Sequence, residues 1–191
     1  MINIRELFEK KVKDQYSDFT DDLTLYWNSY GRWESLLTSP YCHLSIVISL
    51  LCYPIYLYPK EPFWYGYPLS ILPNLLGFTL GGYAILLAFG DEKFKSEIAR
   101  DDFDGKPTYY MSLNGAFIHF IVLQSISIIG ALLGNILAIN KGFFAWLGFC
   151  VFIYALLSAV AAAFAILNTA DLFQSLNGGQ RKDSASGNIK K

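Results

Sequence analysis

Four nearly continuous apolar runs divide the chain, at about residues 41–59, 68–90, 108–139 and 142–170, with polar or charged segments between them. A bilayer core needs roughly 20 apolar residues per helix, with about 17 as the short limit. The first run is near that limit and the other three are long enough. The runs are almost unbroken rather than striped at helical period, which predicts a membrane bundle and not a soluble bundle with one apolar face per helix. The expected fold is all-α: an integral membrane protein with a four-transmembrane-helix bundle at 39–177, a loop at 91–107 and an N-terminal amphipathic, interfacial segment at 1–38.

Within that segment, residues 3–20 predict an amphipathic helix, since Ile4, Leu7, Phe8, Val12, Tyr16 and Phe19 recur at steps of three and four. Residues 21–37 follow, rich in aromatics. Tyr26, Trp27, Tyr30 and Trp33 suit the headgroup level, where a ring is apolar and its polar tip wet. They are equally suited to packing on the bundle or docking a soluble protein. Ser39-Pro40, Tyr67-Pro68 and Lys106-Pro107 each place proline at a helix start, where its missing N–H costs nothing. Pro54 and Pro73 lie inside runs and predict kinks. Prolines and aromatics crowd the turn at about 53–68, forming a stiff cap. The fourth helix is expected to run on to a stop at Gly178-Gly179, and the polar tail 178–191 to be disordered.

Charge orients this layout. Thirteen of the 15 Lys and Arg residues fall in the N-terminal segment, the middle loop and the tail; only Lys60 and Lys141 lie in the other two turns. That is the positive-inside pattern of a protein with both termini in the cytoplasm, multi-pass in the cell's inner membrane. The first forty residues lack an apolar leader core, so the first run is expected to act as an uncleaved anchor. The near-zero net charge of -1 gives no basis for nucleic-acid binding.

Small residues recur along the spans. Ser70, Asn74, Gly77, Gly81, Ala84 and Ala88 alternate steps of four and three, on one stripe of the second span. The third carries Ala116, Ser127, Gly130 and Gly134, and the fourth Ala155, Ser158, Ala162, Ala165 and Thr169. Such stripes admit a neighbouring helix closely, within one chain or between copies.

Polar chemistry inside the runs is sparse. No Asp, Glu, Lys or Arg occupies the middle of a run, whereas proton pumps and ion-coupled transporters usually carry one. His119, Gln124 and Asn135 define a candidate polar path; together with Asn74 they are also suited to interhelical hydrogen bonds. Cys42, Cys52 and Cys150 have no CxxC spacing or partner His cluster and read as packing residues. The acidic group at 101–104 lacks Ca-loop spacing. No catalytic set, metal site or cofactor site emerges, and no enzymatic activity is expected.

Two functional readings follow. In the first, copies meet through the small-residue stripes and form a pore or a membrane-perturbing assembly. The layout is similar to that of small multi-span effectors of bacterial defence systems, a likeness of architecture and not of any motif. In the second, the cytoplasmic surface anchors a soluble protein partner, with Tyr26, Trp27, Tyr30 and Trp33 as the docking face. A third, a small transporter or sensor, rests on His119, Gln124 and the proline-aromatic turn. The partners expected are membrane lipid, further copies of the chain and a soluble cytoplasmic protein.

Overall fold

The computed structural model describes residues 4–54, 63–88, 96 and 108–187. Six helices can be given bounds among the described residues: α1 (Ile4–Tyr30), α2 (Arg32–Thr38), α3 (Pro40–Leu51), α4 (Gly66–Ala88), α5 (Tyr109–Ile136) and α6 (Phe143–Gly187). No strand occurs among the described residues.

Among the described residues three helices are long and apolar enough to cross a membrane: α4 with 23 residues, α5 with 28, and the Phe143–Ser175 stretch of α6 with 33. At 1.5 Å per residue even the shortest reaches roughly 35 Å, against about 30 Å of hydrocarbon. Their outer surfaces carry large apolar side chains, Phe78, Ile85, Ile129 and Leu167 among them, all more than half exposed. An uninterrupted coat of this kind suits a lipid environment. The first apolar run differs. Its described helix, α3, has 12 residues, or roughly 18 Å, and much of the remainder of the run lies outside the described residues.

Local chemistry sets the boundaries. α1 runs straight through the expected division near residue 20 and ends at Gly31 (φ 96°) and Arg32 (φ 59°), both left-handed. Glycine takes that conformation without a Cβ penalty, and the chain turns there into α2. Ser39 caps α3, its side chain accepting from the Cys42 N–H, with Pro40 in the first turn as the sequence predicts. Thr108 caps α5 by accepting from the Met111 N–H at 3.2 Å. At the other end of α5 the Ile139 N–H donates to the Gly134 carbonyl at 2.8 Å while Ala138 takes φ 51°, a left-handed exit that satisfies a terminal carbonyl. Pro73 lies within a continuous α4. The backbone of α6 is helical across Gly178-Gly179 as far as Gly187. Glycine costs about 1 kcal/mol per residue against alanine in a helix, which weakens a helix without ending it.

α5 and α6 form the centre. α6 packs against α3, α4 and α5, and α5 also receives α1. Three clusters fill the interior from end to end: Trp64, Ala131 and Ala145; then Leu72, Phe152 and Ala155; then Leu113, Phe117, Phe120 and Ala162. At the first, the Trp64 ring lies in a slot between Gly134 and Gly148. A Cβ on Gly134 would come within 2.6 Å of the ring and one on Gly148 closer still. The indole N–H donates to the Ile139 carbonyl at 2.8 Å. α3 lies along α6 through Ser45 and Ser49, both buried, and the Trp146 indole donates to the Ser49 carbonyl at 2.7 Å.

Candidate functional site

Among the described residues the densest polar constellation is built around His119, in α5. Gly115 stands one turn before it on the same face. A Cβ there would lie 2.5 Å from the backbone carbonyl carbon of Ser29 and 2.6 Å from the Tyr30 nitrogen. Only glycine lets α1 approach α5 backbone to backbone. That approach lays Tyr30 flat on the imidazole, with centroids 3.8 Å apart and planes 12° from parallel. The Tyr26 hydroxyl is 2.7 Å from His119 Nδ1, and the Tyr154 hydroxyl of α6 is 3.1 Å from Nε2. A third contact, 3.3 Å between the Tyr30 and Tyr154 hydroxyls, extends the chain.

This arrangement satisfies the buried imidazole on both sides. In the uncharged ring one nitrogen donates and the other accepts. Whichever carries the proton, one tyrosine donates to the ring and the other accepts from it. Burial pushes the Tyr26 hydroxyl up to about 12, and Tyr30 beside it adds to the rise. Tyr30 is raised too, first by burial and then by its contact with Tyr154. Both hydroxyls on α1 therefore keep their protons at neutral pH. The cluster ties three helices, α1, α5 and α6, at one point.

The other candidate polar residues go elsewhere. Gln124 is fully buried and faces α4, where its amide donates to Thr79 Oγ1 at 3.1 Å. Thr79 also donates back to its own helix, to the Leu75 carbonyl at 2.9 Å. Asn135 is exposed near the end of α5. His119, Gln124 and Asn135 thus occupy three separate surroundings and are not brought together into one path. Ser127, one turn beyond Gln124, is buried with no partner for its hydroxyl.

The aromatic quartet on α1 and α2 divides. Tyr26 and Tyr30 turn inward to His119. Trp27 is half-buried and meets Trp33 edge-on at 5.1 Å, and Trp33 is 64% exposed. Cys42, Cys52 and Cys150 are free and half-buried, and no group of three or more His, Cys, Asp or Glu side chains converges among the described residues.

The small-residue stripes also part company. On α6, Ala155, Ser158, Ala162 and Thr169 are buried and Ala165 is half-buried, all turned inward. On α5, Ser127 and Gly134 are buried, Ala116 is half-buried and Gly130 is exposed. On α4, every member of the stripe, Ser70, Asn74, Gly77, Gly81, Ala84 and Ala88, is exposed. A Cβ added at Gly77, Gly81 or Gly130 would meet nothing within 4 Å. An apolar groove of ≈ 390 Å³ lies beside Gly81 and Gly82, walled by Phe78, Ile85 and Ile166.

Sequence reasoning did not single out Gly115, Thr79, Tyr154, Gly148, or the Ser45-Ser49 pair. One signal was legible in each of two cases. Gly115 and His119 stand four apart, a small residue beside a polar one on the same face. Ser45 and Ser49 have the same spacing. Tyr154 and Thr79 carry no such mark, because their partners are far away in the chain. No protein-family model, curated protein or solved structure matches this chain.

Proposed function

We propose that this chain is a four-span integral membrane protein of the cell's inner membrane, with both termini cytoplasmic, and that it acts by self-assembly into a pore or membrane-perturbing complex. In this reading α3 and the residues after it make a short first crossing, pinned to α6 by the Ser49–Trp146 hydrogen bond. Thirteen basic residues on one side set the orientation.

The observation that carries the reading is the outward stripe of α4. Small residues are useful in a membrane helix where another helix must come close, yet nothing among the described residues covers Gly77 or Gly81. Asn74 sits on the same stripe, exposed, without a hydrogen-bond partner among the described residues. In hydrocarbon an amide gains from a partner helix, by roughly 0.6 kcal/mol on average. A second copy presenting the same stripe supplies both close approach and an Asn74–Asn74 hydrogen bond. Leu72, Phe117 and Gln124 fill the interior of the described bundle, so conduction requires several copies.

Dye-loaded liposomes test this. Leakage is expected to rise faster than linearly with the protein-to-lipid ratio, and Gly81→Leu is expected to return it towards linear. Tight liposomes at every ratio would reject the pore. The second reading, an anchor for a soluble protein, is favoured by one observation, the exposed Trp33 beside Trp27. Trp33→Ala abolishing recovery of a cytoplasmic protein, with leakage unaltered, would select it.

A further inference from the structure

α1 is only partly used by the fold. Its docked end presents Tyr26 and Tyr30 to α5. On a helix, at 100° per residue, Leu23, Phe19, Tyr16, Val12 and Phe8 continue the same face towards the N-terminus. Among the described residues nothing covers four of these, Phe8 being 69% exposed, Tyr16 71%, Phe19 60% and Leu23 46%, while the smaller Val12 between them is half-buried. The face that docks on the bundle therefore runs on for about 20 Å beyond it, largely exposed among the described residues.

Charge along α1 is segregated. Residues 4–13 hold four basic side chains, Arg5, Lys10, Lys11 and Lys13, against Glu6 and Glu9. Residues 14–30 hold Asp14, Asp18, Asp21 and Asp22 and no basic residue. This pattern decides between occupants. A helix lying on anionic lipid is rich in Lys and Arg along its polar face, whereas here four carboxylates would face the headgroups. The basic tail after Gly178 matches the charge but has one large apolar residue, Ile189, with which to cover the stripe. A second α1 running antiparallel matches both.

We propose that α1 is a dimerisation helix, pairing antiparallel with α1 of a second copy through the Phe8–Leu23 stripe. Setting Val12 against the partner copy's Phe19 by the two-fold axis also sets Phe8 against Leu23. Lys11, on one flank of the stripe, then lies within a turn of Asp18 and Asp22, which occupy the same flank, in the other copy. Both ends of the pair gain this contact, because the axis repeats it. A parallel pair, whose two-fold axis runs along the helices, would set this flank on opposite sides in the two copies, so Lys11 would meet neither Asp18 nor Asp22. The pairing deepens the self-assembly reading, since it supplies a contact between copies on a surface separate from α4.

The test is a thiol cross-link in proteoliposomes of the full chain, with the unaltered chain as the background for its three cysteines. Chains carrying Val12→Cys are mixed with chains carrying Phe19→Cys. Mixed dimers are expected to exceed same-variant dimers by about fivefold. Adding Lys11→Asp to one population alone should lower the yield. Combining it with Asp18→Lys and Asp22→Lys in the other should restore part of it, through the flank where charges are again opposite. Dominant same-variant cross-links would mean a parallel pair and overturn the proposal. So would absence of cross-links, and protection of α1 that depends on anionic lipid would then assign the stripe to the membrane. Leakage in the same vesicles separates the two readings. Cross-links lost with superlinear leakage refute the α1 pair alone; cross-links kept with tight vesicles refute the pore alone.

Discussion

α4 and α6 carry small residues at the same alternating spacing, and the fold turns them in opposite directions. On α6 the stripe is inside: Ala155 is 0% exposed and Ala162 3%. On α4 the stripe is outside, with open space around Gly77 and Gly81. The difference lies in position, not in pattern. α6 packs against α3, α4 and α5, and the face that carries its stripe is claimed within the chain. α4 is an edge helix that packs through Leu72, Thr79 and Tyr83 and leaves Gly77 and Gly81 free among the described residues. Small residues at heptad spacing state that a helix can be approached closely; they do not state by what.

Substitutions sharpen this contrast. The largest effect is expected where a small residue is closed in by backbone. Gly115→Val drives a side chain into Ser29 and Tyr30 and should cost about 3 kcal/mol, read as α1 becoming open to protease while α4–α6 stay folded in detergent. Ala155→Leu comes next. It overpacks the cluster with Leu72 and Phe152 and should cost about 1–3 kcal/mol, seen as a lowered melting temperature. His119→Phe keeps the ring and leaves the Tyr26 and Tyr154 hydroxyls without it, for about 1–2 kcal/mol, seen in the same melt and in earlier release of α1. Gly81→Leu is expected to be smallest, below about 1 kcal/mol, because its space is open. If Gly81→Leu lowered the melting temperature as much as Ala155→Leu, the distinction between the two stripes would fail.

The sequence reveals most about the long helices. Their apolar runs exceed a bilayer's thickness, so α4, α5 and most of α6 can be read from composition and length. It reveals less about the short elements. The first run reads as a span, yet α3 ends at Leu51 with a turn at Cys52, and apolar content alone does not mark that break. The N-terminal segment reads as two pieces divided near residue 20, whereas the division falls at Gly31, the residue able to take φ 96°. The candidate site was half legible. His119 stands out as the ionisable residue deep in an apolar run, and Tyr26 and Tyr30 stand out as aromatics. That they meet could not be read, since the meeting depends on Gly115 admitting α1 from some ninety positions away. The pairing of Gln124 with Thr79 escaped for the same reason: 45 residues separate them, and no local pattern joins them.

The tryptophan slot fixes an order of events during synthesis. Trp64 leaves the ribosome early, but both walls that hold it, Gly134 and Gly148, belong to the last third of the chain. At about 5–20 residues per second, the indole waits roughly 4–17 s for the second wall. Until the α5–α6 hairpin is made, α4 has no native seat at that end, so the second half of the protein acts as the template on which the first half settles.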